Sequence, residues 1–350
     1  MSRDFVLAGR AIEPGRPVFV IAEAGVNHNG DAAMARALID AAADSGADAV
    51  KFQTFRTSAL TSRTAPKAAY QIEATGAGES QSEMLMRLEL STETLRALQA
   101  HAAARGIVFF STPFDEASAD TLAALGVPMF KIPSGEITNL PLLRHIAAKG
   151  KPIILSTGMS TLDEVEQALA AIGDLADVSV AILHCVSAYP APVGEVNLRA
   201  MDALRDRFGR PVGLSDHTLG LEIALAAVAR GAAIVEKHLT LDKNLPGPDH
   251  RASLEPAEMA ALVRGIRNVE AALGDGVKRP MPSELDTRRV ARKSLVAARA
   301  LRAGEELVKD AVAVKRPGTG ISPAELERAL GRRVRRDLAA DDVIDWTALE

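Results

Sequence analysis

Of the 350 residues only one, Cys185, is a cysteine. The chain can therefore form no intramolecular disulfide and no cysteine metal cluster, which fits a reducing compartment. Long apolar runs are missing as well. The nearest, 223–234, falls short of the roughly 20 residues of a membrane helix and is broken by Arg230. Residues 1–15 hold no apolar core and no small-residue cleavage site, so no secretory signal is expected there. Positive charge is not in excess: 41 Lys+Arg stand against 45 Asp+Glu, a formal net charge of −4. Bulk charge thus gives no case for nucleic acid as the partner. No G-x-G-x-x-G follows the first apolar run, which removes the usual sign of a dinucleotide site. With 47% apolar and 25% charged residues, the expectation is a cytoplasmic globular protein that binds neither nucleic acid nor membrane.

Short runs rich in Val, Ile and Phe alternate with alanine- and leucine-rich segments of helical period. That rhythm reads as repeated βα units around a parallel sheet. Strands are expected at 18–22, 49–53, 108–111, 129–132, 152–156, 180–185, 212–215 and 234–238. Helices are expected between them, as at 33–45, 92–105, 161–171 and 221–230. Gly46, Gly106 and Gly231 stand just past helix ends, where a left-handed residue stops a helix, and Thr161 with Glu164 resembles a capping box. Eight units in about 270 residues match a (β/α)8 TIM barrel, assigned to residues 1–274; a doubly wound sheet is the competing topology. The connection 56–90 is too long for a simple loop and reads as a lid or binding loop, carrying Tyr70 and Gln71. After Gly274 the rhythm ends. Residues 275–291 read as a linker, and 292–350 as a small, mildly basic, β-rich domain that would be marginal alone. Its strands are expected at 294–297 and 312–315, with a turn at 316–320 and a short helix around 323–330.

Strand side chains alternate faces, and in a barrel the reactive groups gather at the carboxyl ends of strands. In order, those positions hold Glu23; Lys51 and Gln53; Thr112; Lys131; Ser156; Ser187; Ser215 and His217; and Glu236 and His238. Each named pair shares a parity, so all eight strand ends can aim polar atoms at one mouth. Two lysines with several hydroxyls suit a small anion with many oxygens, such as a phosphate. Two histidines on adjacent strands, near Glu236 and Asp249, suit a divalent metal with open positions that polarises a carbonyl. Together these suggest condensation of an enol phosphate with a sugar aldehyde.

The motifs AEAGVNHNG (22–30), KFQT (51–54), STPFD (111–115), KIPSGE (131–136) and STGM (156–159) resemble those of the sialic acid synthase family. So do HC (184–185), YP (189–190), SDHT (215–218), EKH (236–238), GPDH (247–250) and KRPG (315–318). The resemblance runs in order along nearly the whole chain. It implies a TIM barrel followed by a C-terminal antifreeze-like domain, in a domain-swapped homodimer. It also implies joining of phosphoenolpyruvate to an N-acylmannosamine-type sugar, with N-acetylneuraminate the favoured product and legionaminic acid the alternative. By the same resemblance, Lys51, Thr112, Lys131, Ser134, Ser156 and Ser215 cradle phosphoenolpyruvate. Gln53, Glu136, Tyr189 and Asp249 face the sugar, and the partner's Arg316 reaches its N-acyl group. His217 and His238 hold a divalent metal, Mn2+ or Mg2+, with Glu236 and Asp249 orienting its water. Glu23 and Glu136 are the candidate acid and base. C3 of phosphoenolpyruvate attacks the open-chain aldehyde, water attacks C2, and phosphate leaves by C–O cleavage. Two positions depart from the pattern. Val186–Ser187–Ala188 stands where some members have Thr-Asn, leaving Ser187 as the hydroxyl for the anion. Thr319 stands where Asn is common, and Asn tolerates positive φ better.

Plainer readings apply elsewhere. His184 has the wrong parity for the mouth and reads as structural, Cys185 as a small buried hydrophobe, and Lys237 as outward-facing and paired at the strand rim. Arg332, Arg333, Arg335 and Arg336 read as a solvated face. His28 is open between function and structure. A Schiff-base pyruvate–sugar aldolase, needing no metal, competes with the synthase, as does a non-catalytic sugar- or ice-binding module. Extra cations for a phosphorylated sugar are not evident.

Overall fold

The computed structural model describes residues 5–7, 9–13, 15–173 and 178–350. Residues 1–4, 8 and 14, part of the segment read for a signal, lie outside the described residues. The chain divides into two compact units, Met1–Gly274 and Asp275–Glu350.

The first unit opens with a short hairpin, β1 (Val6–Leu7) and β2 (Arg10–Ala11), and then builds eight parallel strands. These are β3 (Phe19–Gly25), β4 (Ala49–Thr54), β5 (Val108–Pro113), β6 (Phe130–Ile132), β7 (Ile153–Ser156), β8 (Val180–Cys185), β9 (Val212–Asp216) and β10 (Ile234–His238). They pair in the order β5-β4-β3-β10-β9-β8-β7-β6, and β5 and β6 lie side by side to close the ring. The outer helices are α1 (Ala32–Asp44), α5 (Thr92–Ala104), α6 (Glu116–Leu125), α7 (Leu140–Ala147), α8 (Leu162–Gly173), α9 (Ala200–Phe208), α10 (Glu222–Ala229) and α11 (Pro256–Leu273). Between β4 and α5 stand three short helices, α2 (Thr57–Leu60), α3 (Ala69–Thr75) and α4 (Gln81–Met86), which form the lid. The expected (β/α)8 barrel is present.

Parity explains the interior. Inward positions near the amino ends are apolar: Phe19, Ile21, Phe110, Met129, Ile154 and Leu183 form one buried cluster. Phe5, Leu7 and Ile12 of the hairpin join it and plug that end of the barrel. Each such side chain contributes on the order of 1.5–3 kcal/mol by leaving water. Further along most strands the same face turns polar, as at Glu23, Lys51, Thr112, Lys131, Ser156 and Glu236, so the barrel is an oily plug at one end and a polar mouth at the other. The outward strand faces pack under the helices in a second, larger core.

That covering corrects one part of the expectation for Lys237, its place at an exposed rim, while the expected pairing holds. Its outward parity holds, but the side chain is fully buried. Its ammonium donates to Asp216 Oδ2 at 2.7 Å and to the Thr218 carbonyl at 2.6 Å. The outer face of a parallel barrel strand meets helices rather than water.

In the second unit, antiparallel β11 (Ser294–Ala297) and β12 (Val312–Lys315) carry a core that includes Leu295, Leu301, Leu307, Ile321, Val334 and Ile344. The segment expected as a linker contains α12 (Leu285–Ala291), tied to the turn after β12 by Gly318 N donating to Arg289 O at 2.8 Å. A last short helix, α13 (Leu326–Ala329), follows. Thr319 does not adopt positive φ, so the turn needs no asparagine there. Arg328 and Arg332 lie over Trp346, 4.6 and 5.3 Å from its ring centre. Arg333, Arg335 and Arg336 are exposed, as a solvated face requires.

Candidate active site

The polar mouth is a cavity of about 470 Å³. On its floor four charged side chains alternate. Lys51 Nζ stands 2.5 Å from Glu23 Oε2 and 3.7 Å from Glu236 Oε2, and donates to Thr112 Oγ1 at 3.0 Å. Lys131 Nζ stands 3.2 Å from Glu236 Oε1, which also accepts from Ser215 Oγ at 2.9 Å. All four charges are at least 96% buried. Burial pushes Glu23 up, to about 7, against the pull of Lys51 and with added repulsion from Glu236. Burial also acts on Glu236, but Lys131, Lys51 and the Ser215 hydroxyl outweigh it and hold its carboxyl down at about 2. Lys131 is lowered by burial, whereas the two carboxylates raise Lys51. The floor is thus cationic on demand, with one carboxyl near neutrality able to hold a proton.

Glu23 owes its aim to a bulge. Pairing between β3 and β4 shifts between Glu23 and Gly25, and Gly25 takes φ +54. A Cβ at Gly25 would sit 3.1 Å from Glu23 Oε1, so the glycine leaves room for the carboxyl.

Beside the charges lies a hydroxyl cradle. Ser134 Oγ accepts from Gly158 N at 2.9 Å, and Ser156 Oγ is buried without a partner. A Cβ on Gly158 would overlap Ser187 Oγ and lie 2.8 Å from Ser134 Oγ. The backbone therefore passes through the cradle only because this residue has no side chain.

His217 and His238 lie with ring centres 5.4 Å apart. His217 Nδ1 donates to Val186 O at 2.7 Å, which leaves Nε2 as the nitrogen that would ligate once the ring is neutral. His238 Nδ1 is buried and unpartnered, 3.9 Å from Asp249 Oδ2. Burial, His217 and Lys51 keep His238 well below the usual imidazole range, hence neutral. Two such imidazoles fit a divalent ion. Among the described residues no set of three or more His, Cys, Asp or Glu forms a metal site, so most coordination positions would be left to substrate and water. Asp249 is raised to about 6 by burial, against His217 and Lys51.

The lid roofs the cavity. Lys67 is buried within it, donating to Thr75 Oγ1 at 2.9 Å, Gly76 O at 3.1 Å and Glu79 Oε1 at 2.9 Å. Glu79 also receives Arg87, and these two cations hold its carboxyl down at about 2. Ser80 and Glu83 form a reciprocal cap that starts α4. Tyr70 stacks on Tyr189 at 5.0 Å, and Tyr189 on His217 at 4.0 Å.

Residues 38–278 match the NeuB family, and residues 292–350 match the SAF domain. The chain belongs to the NeuB family. An N,N'-diacetyllegionaminic acid synthase of Campylobacter jejuni is 49% identical over 331 residues, covering 94% of this chain and 99% of that protein. One of Legionella pneumophila is 48% identical over 337 residues, covering 95% and 94%. The crystal structure of an N-acetylneuraminic acid (sialic acid) synthetase from Leptospira borgpetersenii, in complex with citrate, superposes with a TM-score of 0.72 at 36% identity, covering 82% of this chain and 95% of that one. The chain is thus an enzyme of a carbon–carbon bond-forming synthase family.

Fourteen of the expected site residues of this NeuB-family chain line one cavity: Glu23, Lys51, Gln53, Thr112, Lys131, Ser134, Ser156, Ser187, Tyr189, Ser215, His217, Glu236, His238 and Asp249. Two do not. Glu136 sits in a 3-10 turn, and its Oε2 accepts from Asn139 Nδ2 at 2.7 Å. The expectation that it faces the mouth is corrected: three residues per turn carry it off the face that Ser134 occupies. Arg316 belongs to the second unit, where its Nε donates to Ala291 O at 3.0 Å. Cys185 is buried as expected, with a second feature that the expectation lacked. It lines the cavity, its Sγ 3.8 Å from His217 Nδ1. Its parity with Ser187 was the available signal. The lid residues Tyr70, Gln71, Gln81 and Met84 also line the cavity; only the length of 56–90 pointed to them. His184 is structural as expected, with Nε2 on Val196 O at 2.6 Å.

His28 resolves toward structure. It is fully buried, its Nδ1 accepts from Gly30 N at 3.0 Å, and it does not line the cavity. Burial, aided by His250, lowers it to about 4. Unfolded, it titrates near 6.5, so between these values the unfolded chain binds the extra proton. Its contribution is present above pH 6.5 and lost as pH falls to 4. The stability margin of wild type over His28→Gln should therefore shrink by up to about 3 kcal/mol across that window. Denaturant midpoints at pH 7 and pH 4.5 measure this, and a margin independent of pH would refute the neutral buried histidine.

Proposed function

We propose that this chain condenses phosphoenolpyruvate with 2,4-diacetamido-2,4,6-trideoxymannose to give N,N'-diacetyllegionaminic acid and phosphate. The observation that carries the chemistry is the buried floor of Lys51, Lys131 and the serine cradle beside the His217–His238 pair. The acceptor departs from the N-acetylmannosamine that the sequence alone favoured. Both relatives near one-half identity are N,N'-diacetyllegionaminic acid synthases, whereas the sialic acid synthetase stands at 36%.

In this reading Lys51, Lys131 and the hydroxyls of Ser134, Ser156 and Ser187 hold the anionic oxygens of phosphoenolpyruvate. His217 and His238 would hold a divalent ion, Mn2+ or Mg2+; when bound it polarises the acceptor's aldehyde. Gln53, Tyr189 and Asp249 orient the open-chain sugar, so that C3 of phosphoenolpyruvate meets the aldehyde carbon. Water then adds at C2, and phosphate departs with its bridging oxygen. Glu23, titrating near 7, holds or delivers the proton this exchange needs. Glu236, pinned by Lys131 and Ser215, keeps the two ammonium groups in place. We read the functional form as a swapped homodimer in which the partner's Arg316 serves the sugar's N-acyl group; the exposure of Arg316 in the second unit is compatible with that. Among the described residues no helix is long and apolar enough to cross a membrane.

The test is phosphate release from phosphoenolpyruvate, with Mn2+ and then with chelator, comparing N-acetylmannosamine and the diacetamido trideoxy sugar. Metal-dependent release that requires a sugar and runs at higher kcat/KM with the diacetamido sugar is expected. No release with either sugar, or a preference for N-acetylmannosamine, would overturn the proposal.

A further inference from the structure

The cavity has two chemically different ends. The strand termini supply its charges, hydroxyls and histidines. The lid side supplies an apolar wall, Phe55, Leu60, Met84 and Leu85; Met84 and Phe55 are buried, and Phe55, Leu60 and Leu85 belong to one cluster. Set in this wall is one amide whose orientation is fixed by its neighbours. Gln71 is 9% exposed, and its Oε1 accepts from Ala68 N at 3.0 Å and from Gln81 Nε2 at 3.3 Å. Gln81 Oε1 in turn accepts from Thr61 Oγ1 at 3.1 Å. Both amide oxygens are therefore spent inside the lid. Gln71 lines the cavity, and with its Oε1 taken the NH2 is the function left for a ligand.

From this juxtaposition we infer that the lid is the subsite that selects the distal end of the acceptor sugar. Gln71 donates to the carbonyl of a C4 acetamido group, while Met84 and its apolar neighbours receive the acetamido methyl and the C6 methyl. The inference rests on the proposed function and deepens it. A hydroxyl brought against Met84 and Leu85 loses water and gains no partner, which is costly. A methyl there loses nothing and buries apolar surface. An amide carbonyl meets the donor that Gln71 has left, and a site built around one polar pairing discriminates strongly against substrates that lack it. The histidine end is joined to this wall by the ring contacts of Tyr70 on Tyr189 and of Tyr189 on His217.

Four acceptors separate the contributions: N-acetylmannosamine, its 6-deoxy analogue, 2,4-diacetamido-2,4-dideoxymannose, and the 2,4-diacetamido-2,4,6-trideoxy sugar. Phosphate release gives kcat/KM for each with wild type, Gln71→Glu and Met84→Gln. Gln71→Glu keeps the oxygen that accepts from Ala68 N and removes the donors; Met84→Gln keeps length and adds polarity. Wild type is expected to prefer each 6-deoxy sugar over its 6-hydroxy partner, a comparison that needs no variant. Gln71→Glu should cut the preference for 4-acetamido sugars by about 10–100-fold, and Met84→Gln the preference for 6-deoxy sugars by about tenfold. Equal losses on all four sugars in both variants, or no 6-deoxy preference in wild type, would overturn the subsite while the proposed function stood. Absence of release with every sugar would overturn the function itself.

Discussion

Replacing Lys51 with Met is expected to cost both turnover and stability. The ammonium lies between Glu23 Oε2 and Glu236 Oε2, 2.5 and 3.7 Å away, with Thr112 Oγ1 accepting at 3.0 Å. It is 3% exposed, so water cannot replace it. Without it two carboxyls face each other in a medium that screens poorly. Breaking a buried pair from one side costs about 3–5 kcal/mol, because the charge left behind stays desolvated. For a unit of this size that is a fall of roughly 10 °C in Tm. Glu23 titrates near 7 even with the lysine present, so the variant should recover part of the loss as pH drops and that carboxyl takes a proton. Activity falls further, since an electrostatic group aimed at the reacting anion accounts for about 10²–10³ in kcat. Thermal melts at pH 7.5 and pH 5.5 and phosphate release measure the three effects. A variant that melts like wild type and retains a tenth of its turnover would show that Lys51 neither neutralises the carboxyls nor holds the anion.

Gly158→Ala tests the cradle without touching a charge. The residue lies two positions past the end of β7, and its φ lies outside the left-handed region, so alanine imposes no backbone strain. The added methyl instead overlaps Ser187 Oγ and comes within 2.8 Å of Ser134 Oγ. Those hydroxyls must move out of the anion's place, or the methyl must occupy it. Displacement of about 1 Å among positioning groups can cost 10²-fold, so kcat/KM for phosphoenolpyruvate should fall about 100-fold, mostly through KM. The melting temperature should shift little, because no buried pair is broken. An unchanged KM for phosphoenolpyruvate would place the anion elsewhere.

The composition and the period-two alternation determined much of this protein without coordinates. Glu23, Lys51 with Gln53, Ser215 with His217, and Glu236 with His238 each fall on the inward face at a strand's carboxyl end, and there they are found. Parity is a property of the extended chain itself, so it survives any arrangement of the strands around the ring. The apolar residues two positions earlier in the strands determined the plugged end for the same reason. Tertiary structure decided what depends on neighbours distant in sequence. Lys237 is buried because helices cover the outer sheet face. Glu136 turns to Asn139 because a 3-10 turn rotates it past the face that Ser134 holds. The pairing of Lys51 with Glu23 and of Lys131 with Glu236 joins strand positions that lie 28 and 105 residues apart in sequence. The lid is the clearest case. Its short helices have too few residues for their pattern to show which face is inward. Gln71 acquires its single free function only when Ala68 and Gln81 close on its oxygen. Alternation assigns a side chain to a face; the distance and orientation that make it a donor, an acceptor or a wall arise only when separate segments pack.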